Sequence, residues 1–71
     1  MTFHTGQRVK ITQKDHPLYG KTGTVSRCRI TDDGAWITMD DDLPKECQSF
    51  PKEDARHRNI LFFPEDCEPL P

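Results

Sequence analysis

The stretch His16-Pro17-Leu18-Tyr19-Gly20-Lys21-Thr22-Gly23-Thr24-Val25 has two incompatible readings. Gly20-Lys21-Thr22 is the tail of a phosphate-binding P-loop, which requires Gly-x-x-x-x-Gly-Lys-Ser/Thr between a strand and a helix. Five positions before Gly20 stands Asp15, not glycine, and Pro17 interrupts the loop whose amides would cradle phosphate. Thr22-Gly23-Thr24-Val25-Ser26 is a poor helix start and a good strand. The stretch therefore reads as a turn feeding a strand. Gly20 permits the reversal, and Gly23 allows a neighbouring strand to approach where a side chain would clash. Val25 then returns to the core.

On the N-terminal side, residues 7–13 alternate, with Val9 and Ile11 on one face and Arg8, Lys10 and Thr12 on the other. That period of two marks a half-buried strand. Residues 14–20 carry turn-formers and a proline that a central strand would reject. The second strand is expected over about 21–31. Val25 and Ile30 differ in parity, so a bulge or sharp bend is expected near Ser26 to Cys28. Asp32-Asp33-Gly34 reads as a hairpin turn with Gly34 at positive φ. A third strand, 35–39, follows with Ala35, Ile37 and Met39 inward and Trp36 and Thr38 outward, or the reverse. Asp40, Asp41 and Asp42 stop it by mutual repulsion. Residues 40–58 hold two prolines and little apolar periodicity. Long loops in small domains carry function or disorder, so this segment is the expected specificity element. Within it, 53–58 has the composition of a single helical turn. A fourth strand, 59–63, a turn at Pro64-Glu65-Asp66 and a short last strand, 67–70, complete the chain. Short strands at close spacing and no convincing helix argue for a small all-β barrel or sandwich, a single domain over 1–71. Closure into a barrel would remove exposed sheet edges.

Composition narrows the function. Of 71 residues, 32% are hydrophobic and six are aromatic, enough for one small core and little more. The mixed 31% charged fraction suits a folded, soluble domain. No window approaches the apolar length of a membrane span, and the N-terminus lacks an apolar signal core. A cytoplasmic protein with no membrane contact is the resulting expectation. The three cysteines, Cys28, Cys47 and Cys67, cannot all pair within one chain, which argues against a secreted disulfide scaffold. Net charge is −2, yet residues 1–29 carry +5 and residues 30–71 carry −7. Either basic strands lie beside acidic loops and neutralise them, or a basic face steers an acidic partner.

Gly6-Gln7-Arg8-Val9-Lys10-Ile11 followed by Gly20-Lys21-Thr22-Gly23-Thr24-Val25 resembles the KOW motif, in which a hydrophobic strand and a loop precede Gly-Lys-x-Gly-x-Val. Leu61-Phe62-Phe63-Pro64-Glu65-Asp66-Cys67 is similar to the end of an SH3 domain: an apolar strand, Phe-Pro, a tight turn and the last strand. Small SH3-like subunits that dock electron carriers in photosynthetic complexes also open with Gly-x-x-Val-x-Ile and carry a later Gly-Thr-Val. These resemblances imply one SH3-like, KOW-type barrel of about five antiparallel strands. The chain departs from SH3 domains at Cys67, where they carry a tyrosine, and lacks their acidic-aromatic motif. The resemblance therefore supports the barrel and not proline-peptide binding. Part of the KOW family binds RNA or ribosomes, the alternative function the resemblance implies.

Other constellations are weak. Cys28, Cys47, Cys67, His16 and His57 lack the paired spacing of zinc ligands. Asp40 to Asp42 lack an EF-hand pattern. Cys47 and His57 have the residue types of a nucleophile and a base, but nothing orients the histidine. The chain is thus read as no enzyme, with no cofactor, no metal and no small-molecule substrate. Phe3, Tyr19, Trp36 and Phe50 are the candidate contact aromatics, although Trp36 also suits capping the core. The expected function is non-catalytic binding of a protein partner through Tyr19, Lys21, Arg27, Arg29 and Trp36, with Gly20, Gly23 and Gly34 shaping the turns. RNA is the alternative partner, although a pI near 5.8 argues against strong general affinity for it.

Overall fold

The computed structural model describes residues 2–71. Five strands form one antiparallel sheet: β1 (Arg8–Ile11), β2 (Thr22–Cys28), β3 (Ala35–Met39), β4 (Asn59–Phe62) and β5 (Cys67–Pro69). Their order across the sheet is β4-β3-β2-β1-β5, so the last strand returns to pair with the first. Two short 3₁₀ turns, Lys45–Cys47 and Pro64–Asp66, are the helical elements among the described residues. None is long and apolar enough to cross a membrane.

The alternation read from the sequence sets the burial. Val9 and Ile11 on β1, Val25 on β2, Ala35, Ile37 and Met39 on β3, and Ile60 and Phe62 on β4 meet in one cluster. Phe3, Leu18, Leu43 and Cys67 close it from the connecting segments and β5. The radius of gyration, 11.2 Å, is what a compact chain of this length has, about 11 Å.

The opening stretch is a turn into a strand. Gly20 has φ of +81°, its N–H donates to the Ile11 carbonyl (2.9 Å), and the Ile11 N–H donates to the Lys21 carbonyl (2.9 Å). This pair of bonds closes the β1–β2 ladder. Thr22 opens β2, not a helix. A Cβ on Gly23 would stand 2.8 Å from both Ile37 Cγ2 and the Thr38 carbonyl oxygen, so glycine there is what lets β3 sit close. His16 serves the same turn. Its Nδ1 accepts the Leu18 N–H (3.0 Å), and its ring packs on Phe62 with centroids 4.9 Å apart.

Several expectations need correction. The sheet is open, not a closed barrel: β4 and β5 stand at its two edges. These edge strands have four and three residues, and no ladder joins them among the described residues. Pro69 is accommodated on β5 because that strand is an edge. The strands are shorter than expected: β1 spans 8–11, β4 stops at Phe62 and β5 at Pro69. β2 ends at Cys28, and Ile30 lies beyond it, fully exposed.

The β2–β3 connection is a six-residue loop, 29–34, closed by the Arg29 N–H on the Gly34 carbonyl (2.9 Å). Gly34 is not at positive φ, which only Gly6 and Gly20 adopt among the described residues. Its N–H is held by Asp32 Oδ1 (2.8 Å). Its missing side chain leaves room for Phe63, whose Cε1 would lie 3.0 Å from a Cβ. Residues 53–58 form consecutive i→i+3 turns (Asp54 to Pro51, His57 to Asp54, Asn59 to Arg56) and no helix.

Basic and acidic halves meet in space. Arg8 on β1 grips Asp40 through both guanidinium nitrogens (2.8 and 2.7 Å). Asp40 also accepts the Thr22 hydroxyl, and its carbonyl accepts from Arg58 Nη1 (3.0 Å). Lys21 lies 3.8 Å from Asp41. These contacts join β1, β2 and the two ends of the long 40–58 segment, the arrangement in which the two halves neutralise each other.

Candidate interaction groove

The bulge expected near Ser26 builds the site. Val25 pairs with Ile37, but Arg27, not Ser26, pairs with Trp36. Ser26 is the extra residue, and its hydroxyl donates to the Trp36 carbonyl (3.1 Å). Without the bulge, strand parity would turn Arg27 inward with Val25. With it, Cys28 turns toward the core opposite Ala35, and Arg27 stands exposed beside Trp36. The bulge lies within the expected region, Ser26 to Cys28. The apolar residue it rescues for the core is Cys28, however, and not Ile30.

Trp36 projects from the outer face of β3, half-buried. The long segment returns over this face. Phe50 meets Trp36 with centroids 5.8 Å apart and planes tilted by 55°. Arg56 lies over the Phe50 ring, 4.2 Å from its centroid, a cation–π stack. Asp54 holds Arg56 in that position by two side-chain bonds (3.1 and 3.0 Å). The Arg56 guanidinium, then the Arg56 N–H, bring the Asp54 carboxyl down to about 2.

Between the β2–β3 face, the 29–34 loop and this wall lies a groove of about 460 Å³. Trp36, Phe50 and Ile30 supply its apolar surface, and Arg27, Arg29 and Arg56 its charge; among the described residues no carboxylate lines it. Arg29 is paired with Asp32 (3.1 Å) and Arg56 with Asp54 (3.0 Å). Arg27 has no carboxylate within ion-pair distance among the described residues.

The structure thus brings together three of the five expected contact residues: Arg27, Arg29 and Trp36. Tyr19 and Lys21 stand apart. Tyr19 is exposed in the turn before β2. Lys21 lines a second, smaller depression of about 340 Å³ with Leu18, Met39, Asp41 and Leu43. Phe3, expected as a contact aromatic, is buried in the core. Phe50 joins the groove as expected of an aromatic in the long segment. Arg56 and Ile30 were missed as groove residues: one sat in a presumed helical turn and the other in a presumed strand.

Among the described residues, no three His, Cys, Asp or Glu side chains cluster as metal ligands. His57 Nδ1 lies 2.8 Å from the Asp54 carbonyl and Nε2 3.6 Å from Asp42, so the ring ties the two ends of the long segment. Burial, with Glu46 adding to it, raises the Cys47 thiol.

No family model, curated protein or solved structure matches this chain.

Proposed function

We propose that this protein is a non-catalytic binding module that takes a protein partner in the groove between the β2–β3 face and the 40–58 segment. The supporting observation is the groove itself: an aromatic floor of Trp36 and Phe50 beside three arginines, with no carboxylate in its lining among the described residues. Trp and Arg are the residue types that dominate protein interfaces, because each offers large contact area and hydrogen bonding together. The long segment shapes the wall and sets which partner fits.

We read the fold as SH3-like with a KOW-type first half. Support comes from the sheet order, in which β5 returns to β1, and from the 3₁₀ turn Pro64–Asp66 between β4 and β5. Three free thiols suit a reducing, intracellular setting.

RNA is the second reading, because arginines beside aromatic rings also suit stacked bases and phosphates. The net charge of −2 and the acidic run at 40–42 set it behind the protein reading, since a polyanion longer than the groove would meet repulsion outside it.

The test is affinity capture from the native cell with cross-linking, using wild type, Trp36→Ala and Arg27→Glu, with and without nuclease. A protein retained by wild type, lost by both variants and indifferent to nuclease supports the reading. Identical capture by all three overturns it, and capture abolished by nuclease moves the function to RNA.

A further inference from the structure

The groove carries a charge pattern that selects among protein partners. Its three charged lining residues are all arginines, in a chain that is acidic overall. They are not equivalent. Arg29 and Arg56 are each held by a neighbouring aspartate, which fixes the guanidinium and offsets much of its charge. Arg27 is exposed and unpaired among the described residues, and the Ser26 bulge sets it directly opposite Trp36. Among the described residues the groove therefore offers one unpaired cation at a defined place. Beside it lie the half-buried indole of Trp36 and the fully exposed side chain of Ile30. A large apolar residue fully exposed next to an aromatic floor is surface that a partner's apolar side chain would cover favourably.

We infer that the groove binds a short acidic segment of a partner protein, with an apolar side chain seated against Trp36 and Ile30 and a neighbouring carboxylate on Arg27.

This inference rests on the binding-module reading above and adds the chemistry of the partner. A carboxylate on an arginine accepts two parallel N–H bonds, so it fixes the register of the segment as well as adding affinity. The pairing of Arg29 and Arg56 limits the site to about one such contact, which disfavours long polyanions. The groove is also small, so it suits a few residues in extended form and not a folded face.

The protein contains one tryptophan, and it lies in the groove, so its fluorescence reports occupancy directly. The experiment titrates the full chain with short synthetic peptides that carry one Leu or Phe at scanned positions, in three series whose flanks are Glu, Gln or Lys. Oligouridylate is titrated in parallel. The expected result is that members of the Glu series bind about tenfold tighter than their Gln counterparts, that the advantage shrinks as salt rises, and that Arg27→Gln removes it. Arg27 is exposed, so this variant keeps the fold, which circular dichroism checks. Equal binding of the Glu and Gln series overturns the acidic assignment while leaving a protein-binding groove in place. Binding of oligouridylate alone overturns both readings. No response from any peptide overturns this inference, and the capture experiment then decides the broader reading separately.

Discussion

Arg27 stands opposite Trp36 across β2 and β3, one position later than a regular ladder would allow, because Ser26 is extruded between Val25 and Arg27. Compared with a ladder that keeps Ser26 in register, this extrusion does two things. It sends Cys28 to the core, and it places a cation beside the indole on the outer face.

Deleting Ser26 should cost little, because it removes the bulge and keeps the facing that the bulge secures. With Ser26 gone, Val25, Arg27 and Cys28 follow one another in a regular ladder opposite Ile37, Trp36 and Ala35, so Arg27 stays outward and Cys28 inward. Ser26→Ala removes only the bond to the Trp36 carbonyl and should cost about 1 kcal/mol. Urea denaturation of both variants measures the comparison, and a loss on deletion above about 3 kcal/mol would show that the extruded residue does more than set the register.

The two glycines of the opening stretch should fail for different reasons. Gly23→Ala places a methyl against backbone, the Thr38 carbonyl at 2.8 Å, and should cost about 1–3 kcal/mol. Gly20→Ala meets nothing within 4 Å but must hold φ near +81°, at a cost of about 1–2 kcal/mol. Gly20→Asn should recover part of that loss, since asparagine tolerates this region, whereas Gly23→Asn should be worse than Gly23→Ala. Denaturant midpoints of the four variants separate conformational strain from steric exclusion.

Stability should fall on acidification through two carboxylates. The Asp40 carboxyl lies well below its ordinary value, chiefly through the hydrogen bonds from Arg8 and then from Thr22. The Asp54 carboxyl lies at about 2, first through Arg56. A carboxyl lowered on folding stabilises the native state above its unfolded pKa of about 3.9, and the contribution disappears as pH falls through the folded value. The loss should therefore begin below about pH 4, with Asp54 spent near its folded value and Asp40 persisting to stronger acid. Melting temperatures of wild type and Asp40→Asn should differ most near neutrality and converge in acid. A constant gap would show that the clamp acts sterically.

The thiols should react in an order set by burial. Burial, then Asp66, pushes the Cys67 thiol up to about 12. At mildly alkaline pH it holds roughly a thousandfold less thiolate than an ordinary cysteine of pKa about 8.5. Labelling with a thiol-specific reagent, read by mass spectrometry, should leave Cys67 last in the native protein and level all three in denaturant. Fast native labelling of Cys67 would mean that β5 opens readily from the sheet edge.

Alternation along residues 8–11, 22–25 and 35–39, and the glycine at 20, were legible in the linear chain because they depend on local geometry: side chains on a strand take opposite faces, and left-handed backbone favours glycine. Gly23 was legible as a glycine inside a strand, and what it makes room for, Ile37 and the Thr38 carbonyl, is tertiary. The bulge lies in the expected region, but the parity conflict that suggested it used Ile30, which lies beyond β2 and is exposed. The groove was legible only in part. Arg27, Arg29 and Trp36 belong to adjacent strands and their loop, so their neighbourhood follows from the hairpin. Phe50 and Arg56 reach Trp36 only because the 40–58 segment folds back over the outer face, pinned through Asp40 to Arg8 and Arg58 and through Asp54 to Arg56. The Arg8–Asp40 and Trp36–Phe50 contacts join residues far apart in the chain, and no local preference encodes them. The open sheet has the same origin: whether the edge strands meet depends on how a short β4 and a short β5 sit around the packed core. Linear sequence determined the strands and their inward faces. Tertiary packing decided that the sheet stays open and which outward residues come together as a site.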